Sequence, residues 1–103
     1  KSVMKPKDLL IEKRLWSAFE GTNLQTYLHM MGIRNIICCG TMIDQCVEAT
    51  IRSGWDRGYL PVLVTDASAG NSEEIVNMAC ERMGFFMSAL IDTKNLVTLI
   101  NEL

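Results

Sequence analysis

The sequence predicts an α/β fold in which a parallel β-sheet is flanked by helices. Three observations lead to this prediction. Short apolar runs, typical of buried strands, alternate with longer segments in which apolar residues recur at helical spacing. Turn and capping residues separate these segments. Strict alternation of strand and helix favours parallel strands that are joined by right-handed crossovers.

The first half of the chain contains two predicted strands and two predicted helices. Thr22 and Gln25 have the spacing of a capping box, and Gly32 is suited to end the helix that begins at Thr22. The run at residues 35–39 is apolar almost throughout, so we expect its strand to be buried on both faces of the sheet. We expect the remaining strand at residues 8–12 and the second helix at residues 44–55.

The second half of the chain continues the alternation. A strand at residues 62–64 ends at Asp66, and Ser72 caps a helix at residues 73–83. Residues 85–91 form the next predicted strand. A last helix is capped by Asp92 or Thr93 and runs to about Asn101.

The composition of the chain excludes several classes of protein. Its 103 residues are 49% hydrophobic and carry a formal net charge of -2, which fits one domain with a sizeable core. This mild acidity gives no reason to expect nucleic acid or an anionic membrane as a partner. No apolar run approaches the roughly 20 residues of a membrane span. The cysteines lack zinc-finger and CxxC spacing, so we expect reduced thiols in a cytoplasmic protein.

The most distinctive stretch is residues 40–50, Gly-Thr-Met-Ile-Asp-Gln-Cys-Val-Glu-Ala-Thr. It follows a predicted strand and opens a predicted helix, so Cys46 falls in the first turn of that helix. Free backbone N–H groups and the helix dipole favour a thiolate at such a position. We therefore predict that Cys46 is a nucleophile at the carboxyl edge of the sheet.

Several motifs, taken in order, carry a resemblance to a known family. Lys13 is followed by Ser17-Ala18-Phe19, Thr22, Leu24, Leu28 and Gly32-Ile33, then by residues 40–47, Gly58-Tyr59 and residues 62–67. In this order and spacing, residues 8–92 resemble the isochorismatase-like cysteine hydrolases. That superfamily includes nicotinamidases, N-carbamoyl amide hydrolases and ureidoacrylate amidohydrolases. The resemblance implies a three-layer α/β/α, Rossmann-like parallel sheet.

The resemblance also implies an activity and a site. Family members cleave a C–N amide or ureido bond of a small molecule through an acyl-enzyme, using an Asp-Lys-Cys triad. Cys46 matches the nucleophile and Lys13 the lysine of that triad. The backbone N–H groups of Met42 and Cys46 match the oxyanion hole, and the family's non-proline cis peptide falls between Thr41 and Met42.

The aspartate of the triad has no match in this sequence. In the family it lies on a strand upstream of the lysine, and residues 1–8 do not resemble that strand. We therefore expect residues 1–103 to be the C-terminal part of a family domain that lacks its first strand or strands, with little or no turnover. The family's metal ligands also lie upstream, so we expect no metal and no cofactor here. A sheet edge left open in this way predicts a homo-oligomer.

Other residues carry weaker predictions. Trp16 and Phe19 follow Lys13, and we place them with Gln45 in the substrate pocket. Asp66 could serve as a substitute base or as a cap, and we favour the cap. For His29, on an apolar helix, we expect neither a Cys-His dyad nor a metal site.

Two further functions compete with the hydrolase. The chain could be a catalytically dead α/β module that acts in oligomer assembly, and the missing aspartate favours this alternative. A redox thiol protein is the third possibility. It is weaker because no resolving cysteine lies within CxxC spacing of Cys46.

Overall fold

A computed structural model describes residues 4–103, and in this part of the chain a parallel sheet is combined with helices as predicted. The elements in chain order are α1 (Leu24–Met30), β1 (Asn35–Thr41), a π-helical turn (Ile43–Val47) that leads into α2 (Glu48–Asp56), β2 (Leu60–Ala69), α3 (Glu73–Phe86), β3 (Ala89–Ile91) and α4 (Thr93–Asn101). The sheet order is β1-β2-β3, and both strand pairs are parallel. No helix within residues 4–103 is long and apolar enough to cross a membrane.

The layers form because successive residues of a strand face opposite sides of the sheet. Leu63 is fully buried against the π-helical turn, α2 and α3, in a cluster completed by Ile43, Val47, Ile51, Ala79, Met83 and Met87. Its neighbour Val64 faces the other side and is also buried, where α4 contacts β2. This arrangement gives the three-layer α/β/α fold that the sequence predicted.

A second, smaller cluster fastens α1 beside this core. It consists of Phe19, Leu28 and Tyr59, and the ring centroids of Phe19 and Tyr59 are 5.7 Å apart. Gly54 of α2 lies against Phe19 and Ile36, and a Cβ there would come within 2.8 Å of Ile36 Cδ1. Glycine therefore lets α2 approach β1 closely.

The predicted strand at residues 8–12 is wrong, because the structure has no strand there. Leu9 and Leu10 are exposed. A strand needs a neighbour for its backbone N–H and C=O groups, and no strand of the described chain pairs with this segment. Its apolar residues alone cannot hold it extended.

Strand β1 is longer than predicted, and one of its faces is open. Its residues alternate between exposed and half-buried, and Ile37 is 52% exposed. The expectation of burial on both faces is therefore wrong for the described chain. The reason is that the two core clusters cover only its Ile36 and Cys38 face and leave the Ile37 face exposed within the described residues.

The boundary between the third predicted helix and the last strand is also wrong. Helix α3 continues through Gly84 to Phe86, and β3 is reduced to three residues. A Cβ at Gly84 would lie 2.7 Å from Leu90 Cδ1. The glycine is thus needed for close packing of α3 on β3 and does not end the helix.

Several capping predictions can be compared with the described residues. Ser72 and Asp92 accept hydrogen bonds from Ile75 N and Asn95 N, as their roles as N-caps require. The capping box at the first helix is wrong, since Thr22 Oγ1 accepts from Leu24 N and Asn23 is the N-cap residue. Gly32, with a φ of 67°, follows the C-cap of α1 as predicted.

Candidate active site

Lys13 and Cys46 meet in space although they are 33 positions apart in the sequence. Lys13 Nζ donates a hydrogen bond to Cys46 Sγ over 3.4 Å and a second one to Leu15 O over 2.9 Å. Lys13 lies on the loop before α1, and Cys46 lies in the π-helical turn after β1. The contact places the single positive charge of Lys13 beside the Cys46 sulfur.

The turn that carries Cys46 begins at the end of β1. Gly40 has a φ of 130°, which favours glycine, and its N–H donates to Ser68 Oγ of β2 over 3.3 Å. The register between the two strands shifts at this point. The peptide bond between Thr41 and Met42, for which the resemblance implied a cis conformation, is cis.

The helix predicted at residues 44–55 starts one residue earlier, and its first turn is π-helical. Met42 O accepts hydrogen bonds from Gln45 N and from Val47 N. The two donors flank Cys46 in the sequence, and the N–H of Cys46 is not a donor in either bond. Turns of this kind are frequent at functional sites, and helical periodicity in a sequence does not distinguish them from an α-helical turn.

A charge cluster around the buried Glu48 carboxylate lies next to the nucleophile turn. The carboxylate of Glu48 accepts two hydrogen bonds from Arg82, each 2.6 Å long, and Arg52 lies 3.6 Å from it. Hydrogen bonding to Glu48 raises the pKa of Arg82, and the charge of Asp44 adds to this effect. Asp44 Oδ1 is buried without a hydrogen-bond partner. Glu48 is thus engaged by Arg82, and among the described hydrogen bonds neither carboxylate contacts the Cys46 sulfur.

Cys38, Cys46 and Cys80 are all half-buried, but burial raises the pKa of two of these thiols. Burial, followed by the charge of Cys39, raises the pKa of the Cys38 thiol to about 11. Burial also raises the pKa of the Cys80 thiol. Cys39 is exposed on the open face of β1. These thiols lack the ammonium contact that Cys46 makes within the described chain.

Asp66 is engaged away from Cys46. Its Oδ1 accepts hydrogen bonds from Thr93 Oγ1 over 2.7 Å and from Thr93 N over 2.8 Å. These two bonds lower the pKa of Asp66 below its ordinary value of 3.8. The geometry is that of a carboxylate holding the start of α4 to β2, which agrees with the favoured interpretation as a cap.

The three predicted pocket residues lie in different environments. Phe19 is buried in the smaller core cluster, and the two cavities that it lines, of about 340 and 370 Å³, include neither Lys13 nor Cys46. The assignment of Phe19 to the substrate pocket stays a prediction. Trp16 is 60% exposed on the Lys13 loop, and Gln45 is half-buried beside Cys46.

Sequence reasoning missed one residue that contacts both parts of the site. Thr50 Oγ1 donates to Cys46 O over 2.7 Å and accepts from Ala18 N over 2.9 Å. Its position four residues after Cys46 was the available signal, because residues four apart share one side of a helix.

The described residues also bear on the metal question. No group of three or more His, Cys, Asp or Glu side chains within residues 4–103 could hold a metal ion. His29, the sole histidine of the sequence, lies exposed on α1.

The fold and the Lys13–Cys46 pair define an α/β protein with a candidate nucleophile after a parallel strand. Residues 2–95 match the Isochorismatase domain family, and the chain belongs to that family. It is 33% identical over 89 residues to nicotinamidase 3 of Arabidopsis thaliana, covering 86% of this chain and 45% of the relative. It is 34% identical over 74 residues to a ureidoacrylate amidohydrolase of Azorhizobium caulinodans, covering 72% and 33%.

A solved structure shows the same architecture. The cysteine hydrolase from Pseudomonas syringae pv. phaseolicola 1448A matches 96% of this chain and 52% of its own with a TM-score of 0.93, at 24% identity. At this identity the likeness shows the fold. The chain spans about half the length of this protein and less than half of the two sequence relatives.

Proposed function

We propose that this chain supplies the lysine and the nucleophile of a cysteine-dependent amidohydrolase that cleaves a C–N amide or ureido bond of a small molecule. The observation that carries the proposal is the 3.4 Å contact between Lys13 Nζ and Cys46 Sγ. The family and two relatives whose names denote amide hydrolysis support it.

The proposed reaction proceeds through a thioester. The Cys46 thiolate attacks the carbonyl carbon, a C–S bond forms, and negative charge develops on the carbonyl oxygen. The N–H groups of Met42 and Cys46 are the proposed donors to that oxygen. When the C–N bond breaks, the amine leaves with a proton. Water then cleaves the C–S bond, which releases the acid and restores the thiol.

The reaction also needs a group that accepts the thiol proton and returns it to the leaving amine. Within residues 4–103, Lys13 is the side chain that hydrogen-bonds to the Cys46 sulfur. Asp66, the substitute base that the sequence suggested, is bound to Thr93 instead. In the proposed enzyme this base is a carboxylate upstream of Lys13, as the resemblance implies.

The lack of an assigned base for Cys46 within residues 4–103 favours the second candidate function, a catalytically inactive α/β module. A cysteine nucleophile with no base assigned to it within residues 4–103 lacks a contribution typically worth about 100-fold to 10,000-fold in rate. The two functions differ in what happens when a base is restored.

Ammonia release from a panel of small amides and ureido acids separates the two functions. We expect the 103-residue chain to show little or no turnover. Joining an upstream family segment that carries the strand aspartate should raise turnover at least about 100-fold. Cys46→Ala should abolish the gain, and Cys39→Ala, a matched control at an exposed thiol, should retain it.

One result would contradict the inference that the base lies upstream of Lys13, and another would contradict the proposed enzyme. Cys46-dependent turnover by the short chain would show that a base lies within it, and Asp66→Asn would be the first variant to examine. A folded, extended protein that hydrolyses no compound of the panel would favour the inactive module.

A further inference from the structure

Thr50 joins two segments that the sequence separates widely. Its hydroxyl oxygen accepts a hydrogen bond from Ala18 N, 32 positions away on the loop that carries Lys13. The same hydroxyl donates to Cys46 O in the preceding turn of its own helix. One side chain therefore contacts the backbone of the lysine loop and the backbone of the nucleophile.

The Lys13 loop depends on such contacts because it has no regular secondary structure. Residues 14–19 form a series of bends, in which Ser17 and Phe19 are buried. Ser17 Oγ accepts a hydrogen bond from Phe19 N over 3.1 Å, and this bond closes a turn around Ala18. Phe19 packs on Tyr59 and fixes the end of the loop nearest α1. The bond from Ala18 to Thr50 fixes the loop beside the Cys46 turn.

A fixed loop backbone matters for Lys13 because its ammonium sits on a flexible four-carbon stem. Lys13 Nζ is shared between Leu15 O of the same loop and Cys46 Sγ. If the loop moved away from α2, the bond from Lys13 to Leu15 O would move with the loop. The bond from Lys13 to Cys46 Sγ would break. The loop position thus determines whether the ammonium reaches the sulfur.

We infer that Thr50 is a positioning residue that holds the Lys13 loop against the Cys46 turn and so maintains the lysine–thiol contact. This inference rests on the proposed Lys13–Cys46 pair and adds a residue that touches neither of the two reacting side chains.

A bond from threonine to the carbonyl four residues earlier is common in helices and has no functional meaning by itself. Thr98 of α4 makes such a bond to Lys94 O over 3.1 Å. Thr98 is exposed, and it is a matched control for the helix-internal bond. The distinguishing feature of Thr50 is the second bond, to Ala18 N.

The test measures the rate at which limiting iodoacetamide alkylates Cys46 in the folded chain, read by mass spectrometry. Thr50→Val removes the hydroxyl and nearly preserves the shape of the side chain, whereas Thr50→Ser retains the hydroxyl. We expect Thr50→Val to lower the rate about 3- to 10-fold. We expect Lys13→Met to lower it by a similar factor, because both variants remove the ammonium–sulfur contact. Thr50→Ser and Thr98→Val should stay within about 2-fold of the parent.

A double variant separates positioning from a general structural effect. In the Lys13→Met background, Thr50→Val should lower the rate little further, since the contact is already lost. An unchanged rate in Thr50→Val, or full additivity with Lys13→Met, would overturn the inference while leaving the Lys13–Cys46 pair intact. An unchanged rate in Lys13→Met would overturn that pair, and with it the proposed function.

A measurement on the parent chain keeps the inference testable if Thr50→Val fails to fold. Amide exchange at Ala18 should be slow because its N–H donates to Thr50. Exchange at the rate of an unstructured peptide would show that the loop is not held by this bond and would overturn the inference.

Discussion

At the scale of single residues, the four cysteines of the chain differ in what surrounds each sulfur. Cys38 and Cys80 pack against the core, where burial raises the pKa of both thiols. Cys39 is exposed to solvent. Cys46 is half-buried, as Cys38 and Cys80 are, and has the Lys13 ammonium 3.4 Å from its sulfur. The lysine contact therefore distinguishes Cys46 from the other three cysteines within the described chain.

We predict that Cys46 is alkylated faster than the other three cysteines at pH 7. Protonated thiols are poor nucleophiles, so Cys38 and Cys80 should react slowest. Cys39 is the relevant comparison because it is accessible. Peptide mapping after limiting iodoacetamide measures all four rates in one sample. Equal labelling of Cys39 and Cys46 in the folded chain would contradict the assignment of Cys46 as the activated thiol.

At the scale of helices and strands, a charge cluster connects α2 to α3 beneath the nucleophile turn. Glu48 is the second residue after Cys46, and its buried carboxylate is held by two bonds from Arg82. The arginine side chain is 45% exposed. Loss of the carboxylate would thus leave a cation that can still reach water, which limits the cost.

We predict that Glu48→Gln lowers the free energy of unfolding by about 1–3 kcal/mol, below the 3–5 kcal/mol typical of a fully buried pair. The amide removes a charged acceptor of two bonds while nearly preserving shape. Thermal unfolding followed by circular dichroism measures the change. Glu81→Gln, at an exposed position of the same helix as Arg82, is the control and should change stability by less than about 0.5 kcal/mol. Equal stability of both variants would show that the buried pair contributes nothing net.

At the scale of the whole molecule, the unpaired edge of β1 carries exposed apolar side chains. Strand β1 pairs with β2 alone among the described strands. Ile37 on its open face is 52% exposed, and Ile33 just before the strand is 37% exposed. Unpaired strand edges with apolar side chains favour association with other chains.

We predict that the 103-residue chain forms a homo-oligomer through this edge, and that Ile37→Lys shifts it toward monomer. A charged side chain on an edge strand opposes pairing with a second strand. Sedimentation velocity over a concentration series measures the state of each variant. Met78→Lys, at a 55% exposed position on α3, is the matched control. A monomeric parent chain, or equal effects of both substitutions, would contradict the prediction.

A cytoplasmic location also stays a prediction.

The sequence by itself determined the order of most elements and the identity of the candidate nucleophile. Local signals were sufficient for these, since capping at Ser72 and Asp92 and the positive φ of Gly32 depend on neighbouring residues. The motif around Cys46 is likewise contiguous, so its family could be identified without coordinates. The parallel sheet followed from strict alternation of the segments.

Tertiary structure alone decided what depends on contacts between distant parts of the chain. Residues 8–12 are apolar enough for a strand but have no strand to pair with in the described sheet, and Gly84 continues α3 because β3 packs against it. Phe19 lies only six residues after Lys13 in the sequence, but its side chain is buried against Tyr59 in the smaller core cluster. The contact of Lys13 with Cys46, and the bond from Ala18 to Thr50 beside it, span more than 30 positions. Periodicity and capping report only local preferences, so contacts at this separation emerge when the helices and strands pack together.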